Sequence, residues 1–187
     1  MGEQETPSGT VLEVQNVEVR YPEPHCRDKS GHQQRIESFM TGCKQQVPLV
    51  PCVPDEKTRL LRARLILEEA LETVLALGIR LRLSGEPSHE PAYQAGDEID
   101  MEDLWFDPSV TPNLVEIADG CADISVVTYG TLSACGIADD ALIVEVDKNN
   151  LTKLEKGTVD EHGKLTKPPG HQPPEIEKLL KEQGWSK

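Results

Sequence analysis

The chain has 187 residues, enough for one domain with a buried core, and carries 33 Asp and Glu against 19 Lys and Arg, a net charge of −14. That surplus of acid excludes unaided binding to nucleic acid polymers or anionic membranes, both of which need a basic face, and suits divalent cations held by oxygen ligands. Aromatic residues make up only 4% and the apolar set is mostly Leu, Val, Ile and Ala, which favours helices over a sandwich or barrel.

No apolar run approaches the roughly 20 residues of a membrane span. The opening "MGEQETPSGT" lacks the basic and apolar regions of a signal peptide. The cysteines, Cys26, Cys43, Cys52, Cys121 and Cys135, form no C-x-x-C pair and no zinc spacing, so free thiols in a reducing cytoplasm are expected.

Residues 1–31 read as an N-terminal arm, with a short strand near Val11–Val19 where apolar and polar residues alternate. Residues 32–187 read as a single all-α domain. A first helix is expected from His32 to about Lys44. "VPLVPCVP" must be extended, because each proline restricts itself and the residue before it. The strongest helix starts at Asp55 and stops at Gly78. Residues 79–110 change character: "IRLRL" and "IDMEDLWF" alternate around a turn-rich stretch, which reads as a hairpin or loop excursion. Thr111-Pro112 is placed as N-cap and first residue of a second long helix ending near Ala134 and Gly136. Asp139 is placed as the cap of a third helix ending near Gly157. "TVDEHGKLTK" reads as a hairpin or turn, "PPGHQPP" as a rigid connector, and "EIEKLLKEQGW" as a terminal helix docking through Ile176, Leu179 and Leu180.

The acids are concentrated on the two long helices. Residues three and four apart share a helix face, so Glu72 pairs with both Glu68 and Glu69, while Glu116, Asp119 and Asp123 line one side of the next helix. Like charges at this spacing repel by a few tenths of a kcal/mol per pair. Near a core they cost far more unless a cation neutralises them. A solvated acidic face is the plain reading; a site for Mg²⁺ or Mn²⁺ between two helices is the sharper one. The apolar neighbours Leu65, Ile66, Leu67, Ile117, Ala118 and Ile124 favour the latter. A di-iron site would want Glu-x-x-His on two helices, and the one such spacing, Glu86 to His89, lies in a loop.

Lys148, Asn149, Asn150 and Lys153 gather on the third helix and can bind phosphate, or simply complement a helix end. Arg62 and Arg64 can bind phosphate or pair with the nearby acids. Tyr93, Trp105 and Phe106 are packing residues before they are base-stacking ones. No Ser/His/Asp or Cys/His arrangement and no Gly-rich phosphate loop is readable.

Taken together, "RLILEEALETV", "NLVEIADGCADISVVTYGTLSACGI", "VDKNNLTKL" and the "GK…KPPG…PPEIE" segment resemble the all-α nucleoside triphosphate pyrophosphohydrolase superfamily, in its phosphoribosyl-ATP pyrophosphohydrolase-like, MazG-related branch, over about residues 33–183. The resemblance implies a helical bundle that associates as a homodimer or homotetramer. It also implies Mg²⁺-dependent cleavage of the α–β phosphoanhydride of a nucleoside triphosphate to a monophosphate and pyrophosphate. Its E-E-x-x-E motif falls on Glu68, Glu69 and Glu72, and its E-x-x-D motif on Glu116 and Asp119. Alignment on Tyr129–Gly136 instead makes Asp119 and Asp123 the working pair and puts Gly120 in the motif's Glu position. By the same resemblance Glu69 or Glu72 activates water, the six acids hold metal, and Lys148, Asn150 and Lys153 take the phosphates. That mismatch at Gly120 keeps a second reading in play: a helical interaction or nucleotide-binding protein with a degenerate site.

Overall fold

The computed structural model describes residues 24–81, 99, 103–155, 157–160 and 162–186. The strand expected near Val11–Val19 and the tip of the 79–110 excursion lie outside the described residues. In chain order the elements are α1 (Gly31–Gly42), α2 (Glu56–Ala76), β1 (Ile79–Leu81), β2 (Leu104–Phe106), α3 (Leu114–Ala134), α4 (Asp140–Thr152), a 3-10 turn (Lys153–Glu155) and α5 (Ile176–Glu182). The protein is mostly helical, with an antiparallel two-stranded hairpin, as expected of an all-α fold. It divides into two compact units, residues 54–131 and residues 1–53 with 132–187.

In the 54–131 unit, α2 begins where the Asp55 carboxylate accepts the Thr58 N–H at 2.7 Å, satisfying one of the donors a helix start leaves open. It ends at Gly78, whose φ of +78° is the left-handed conformation that stops a helix without a Cβ penalty. The chain then turns straight into β1, which pairs with β2 in the register Ile79 to Phe106, Arg80 to Trp105 and Leu81 to Leu104. Asp107 fastens the hairpin: it accepts from Arg80 Nε at 2.5 Å, from Ser109 N at 2.9 Å and from Ser109 Oγ at 2.6 Å. The hydroxyl of Ser109, then Arg80, hold the Asp107 carboxyl down to about 2.

The start of α3 differs from the expected Thr111-Pro112. The cap is Asn113, whose Oδ1 accepts from Val115 N at 3.0 Å and from Glu116 N at 3.5 Å. The Asn113 N–H is meanwhile bonded to Ala76 O at 3.1 Å. That bond ties the start of α3 to the end of α2 and keeps Thr111-Pro112 ahead of the helix.

In the other unit, α1 is capped by Ser30 Oγ, which accepts from Gln33 N at 3.1 Å. Ile36 and Met40 from α1, with Ala134, Ala138 and Ala141, are buried and form its apolar core. The α3–α4 connection is held by buried glutamines. Gln33 Nε2 donates to Ile137 O at 2.7 Å and Ser133 Oγ at 3.1 Å, and its Oε1 accepts from Asp139 N at 2.9 Å. Gln183 closes a matching pair with the backbone of Ala138, at 2.9 and 3.0 Å. Fully paired amides of this kind offset the cost of burying a loop's polar backbone. Asp139 stands at the N-cap of α4, but its side chain does not cap the helix; it accepts from Ser30 N at 2.8 Å. At Gly136 (φ +68°) an added Cβ would lie 2.3 Å from Val50 O, so the extended "VPLVPCV" stretch runs directly against the end of α3. The bond from Cys52 N to Cys135 O, 2.9 Å, fixes it there. Among the described residues all five cysteines are free thiols, and no helix is long and apolar enough to cross a membrane.

Candidate functional site

The acidic residues of α2 and α3 lie in one unit, and a glycine brings the helices together. A Cβ built on Gly120 would meet Thr73 Oγ1 at 2.3 Å and Thr73 Cβ at 3.2 Å. No side chain fits at residue 120 with Thr73 in place. Thr73 is buried and donates its hydroxyl to Glu69 O, one turn back, at 2.7 Å. Its polar atom is thereby satisfied at the contact. Gly120, the position that the second alignment sets against the motif's Glu, is thus a close contact between α3 and α2 that leaves no room for a larger side chain.

Glu69 stands one turn before that contact and Asp123 just after its α3 counterpart. Burial, and then the charges of Asp123, Glu72, Glu68 and Asp119 in that order, push the Glu69 carboxyl above its usual range. Among these acids Asp123, on the opposite helix, has the largest single effect. Glu69 and Asp123 are partly buried; Glu72, Glu116 and Asp119 are exposed. Glu68 is engaged already: Arg64 Nε donates to its Oε1 at 2.7 Å, the helical i,i+4 pair. Arg64 therefore pairs with an acid, and Arg62 is buried, 7% exposed.

Among the described residues, no three His, Cys, Asp or Glu side chains converge closely enough to form a ready-made metal cage. The chemistry of the donors nevertheless fits a hard divalent cation. All are carboxylates, and the acids around Glu69 leave it with repulsion that a cation would relieve.

The sequence-derived phosphate residues are divided by the structure. Asn150 and Lys153 line a cavity of about 370 Å³ with Lys167 and His171, and Lys153 Nζ donates to Asn150 Oδ1 at 2.5 Å. Lys148 opens instead onto a separate groove of about 220 Å³ beside Pro24 and Glu145. Lys167 and His171 were not expected at this cavity. The sign of them was the Pro-Pro-Gly-His run itself, which has to turn back on the chain. Trp105 and Phe106 sit in β2, 41% and 80% exposed; Tyr93 lies outside the described residues.

A family model for phosphoribosyl-ATP pyrophosphohydrolase matches residues 37–150, a span that takes in both acidic helices and α4 as far as Asn150. No curated protein matches the chain. With more than half the chain matched, on a mostly helical fold that brings the acidic stretches of α2 and α3 to one contact, the chain belongs to the phosphoribosyl-ATP pyrophosphohydrolase family and is a hydrolase of the nucleotide pyrophosphohydrolase class.

Proposed function

We propose that the protein hydrolyses the α–β phosphoanhydride of a nucleoside triphosphate, with Mg²⁺ or Mn²⁺, releasing a monophosphate and pyrophosphate. The observation that carries this reading is the Gly120–Thr73 contact inside the matched span, which sets Glu69 against Asp123 and Asp119. Glu68, Glu69, Glu72, Asp119 and Asp123 would hold the cation, with Glu116 at the outer end of the same row. Bound there, a divalent cation neutralises phosphate charge and polarises the scissile anhydride.

Glu69 and Glu72 are the candidates for orienting the attacking water and taking its proton. Without a cation, burial and then the surrounding acids raise the Glu69 pKa from its ordinary value, and either glutamate, where not fully engaged by the cation, could serve as that base. The water attacks phosphorus, the α–β P–O bond breaks, and pyrophosphate departs; no covalent intermediate on the protein is needed. Asn150 and Lys153, which share one cavity, are the side chains proposed for the phosphates, while Lys148, also expected there, lies on the separate groove.

The reading extends to self-association as a homodimer or homotetramer in a reducing cytoplasm. Leu60 (65% exposed) and Leu67 (60%) on α2, with Leu114 (79%) and Val115 (74%) on α3, are apolar residues a lone chain leaves in water. The free thiols are compatible with that compartment.

The test is Glu72→Gln. The substitution keeps size and helix propensity but removes the charge shared by both α2 pairs, so turnover with Mg²⁺ falls by about 100-fold or more while circular dichroism stays unchanged. A folded variant with wild-type turnover sinks the site.

A further inference from the structure

Lys167 and His171 belong to a segment, residues 166–175, whose backbone is fixed at both ends and in the middle. Thr166 N donates to Thr158 O at 2.8 Å, across the hairpin closed by the Val159–Leu165 bridge. Lys167 precedes a proline and is therefore confined to extended backbone. Pro168-Pro169-Gly170-His171 forms a tight turn: His171 N donates to Pro168 O at 3.1 Å, and Gly170 has φ +77°. Proline second and a positive-φ glycine third are the requirements of a type II turn. Beyond it the segment is stitched to α4. Asn149 Nδ2 donates to Gln172 O at 2.9 Å, its Oδ1 lies 3.0 Å from His171 Nε2, and Glu175 N donates to Glu145 Oε1 at 2.9 Å. Since the Asn149 amide nitrogen is committed to Gln172, its oxygen accepts, and His171 carries its proton on Nε2 toward Asn149.

The result is a pre-formed cavity whose walls hold Lys153, Lys167, His171 and two asparagines. Among the described residues that line it none is a carboxylate, in a chain whose net charge is −14. Among the described residues Lys167 has no ion-pair partner, and Lys153 donates only to a neutral amide. The carbonyl end of α4 lies nearby and disfavours an anion, so the attraction must come from the lysines.

We infer that this cavity is a phosphate-binding subsite in which Lys167 joins Lys153 as the second cationic contact. Asn150 supplies hydrogen bonding, and the His171–Asn149 bond holds the Lys167 segment in position. Two ammonium groups, each a strong point-charge partner for phosphate oxygens, suit a doubly charged phosphoryl group better than a single carboxylate. In taking a nucleotide's phosphates as the ligand, the inference rests on the pyrophosphohydrolase reading above. It adds the C-terminal segment, outside residues 37–150, to the residues that set substrate affinity.

The probe is inorganic pyrophosphate, titrated calorimetrically into the full-length protein, with nucleotide kinetics measured in parallel. Wild type binds pyrophosphate with an affinity that falls as salt rises. Lys167→Met and Lys153→Met each weaken it about tenfold and raise the nucleotide KM in the same proportion, while Lys167→Arg stays within about threefold. Lys181→Met, which removes the same charge from α5, leaves pyrophosphate affinity unchanged. If Lys167→Met binds pyrophosphate like wild type while nucleotide hydrolysis proceeds, the subsite is overturned and the hydrolase reading stands. If no nucleotide is hydrolysed yet pyrophosphate binds and Lys167→Met loses it, the subsite stands and the hydrolase reading falls. Equal affinity for citrate overturns the assignment to phosphate.

Discussion

Glu69 concentrates the conflict between stability and chemistry in this chain. It is partly buried, with Asp123 facing it from α3 and Glu68 and Glu72 beside it on α2. Each close like-charge pair costs a few tenths of a kcal/mol in the absence of a cation. Glu69→Gln removes the charge without removing the side chain. It is expected to raise the melting temperature in EDTA at neutral pH by about 1–2 °C while abolishing turnover. Differential scanning fluorimetry alongside an activity assay reads both effects. A lower melting temperature would mean that Glu69 is satisfied by its surroundings and is not held against repulsion. Glu68 is different, since Arg64 already compensates it at 2.7 Å. It has to exchange that partner before it can serve a metal, so Glu68→Gln is expected to be milder than Glu69→Gln in its effect on turnover.

Among the elements, the α2–α3 contact determines whether the acids can act together. Gly120→Ala forces a methyl group to within 2.3 Å of Thr73 Oγ1. Overpacking of this kind costs about 1–3 kcal/mol. It is expected to lower turnover as well, by separating Glu69 from Asp123. Adding Thr73→Ala removes the clashing hydroxyl and is expected to recover most of the stability in a urea-melt double-mutant cycle. Purely additive effects would show that the two residues do not touch.

Much of this arrangement was legible in the chain. Helix periodicity located α2, α3 and α4, and glycines 78 and 136 stopped helices where turn chemistry required. The acidic spacing identified the faces. Other features were not legible, because they depend on which atoms compete for one donor or on contacts distant in sequence. Asn113 displaced Thr111 as a cap because its N–H was already claimed by Ala76. Asp139 gave its carboxylate to Ser30, 109 residues away. Gln33 and Gln183 look like surface residues in the sequence, yet they are buried because a loop's backbone needs their amides. The cavity containing Lys167 and His171 likewise arises from a return of the chain onto α4 that spacing along α4 could not reveal.

On the scale of the whole molecule, the distribution of apolar residues is unusual for an isolated chain. In the 54–131 unit Arg62, Thr73 and Val127 are buried while Leu60, Leu67, Leu71 and Leu75 of α2 are exposed. Burial of such residues is worth about 1.5–3 kcal/mol each, so a second copy is the expected cover. Light scattering at micromolar concentration should give a dimer or tetramer mass, and Leu67→Glu together with Leu60→Glu should shift it toward monomer. A monomeric wild type would leave those faces unexplained. The central claim is the bond that is cut. Incubated with a panel of nucleoside triphosphates and Mg²⁺, the protein is expected to release pyrophosphate and the nucleoside monophosphate in equal amounts from at least one of them, and to stop doing so in EDTA. Release of inorganic phosphate with a nucleoside diphosphate, or no turnover of any nucleotide with Mg²⁺ or Mn²⁺, would contradict it.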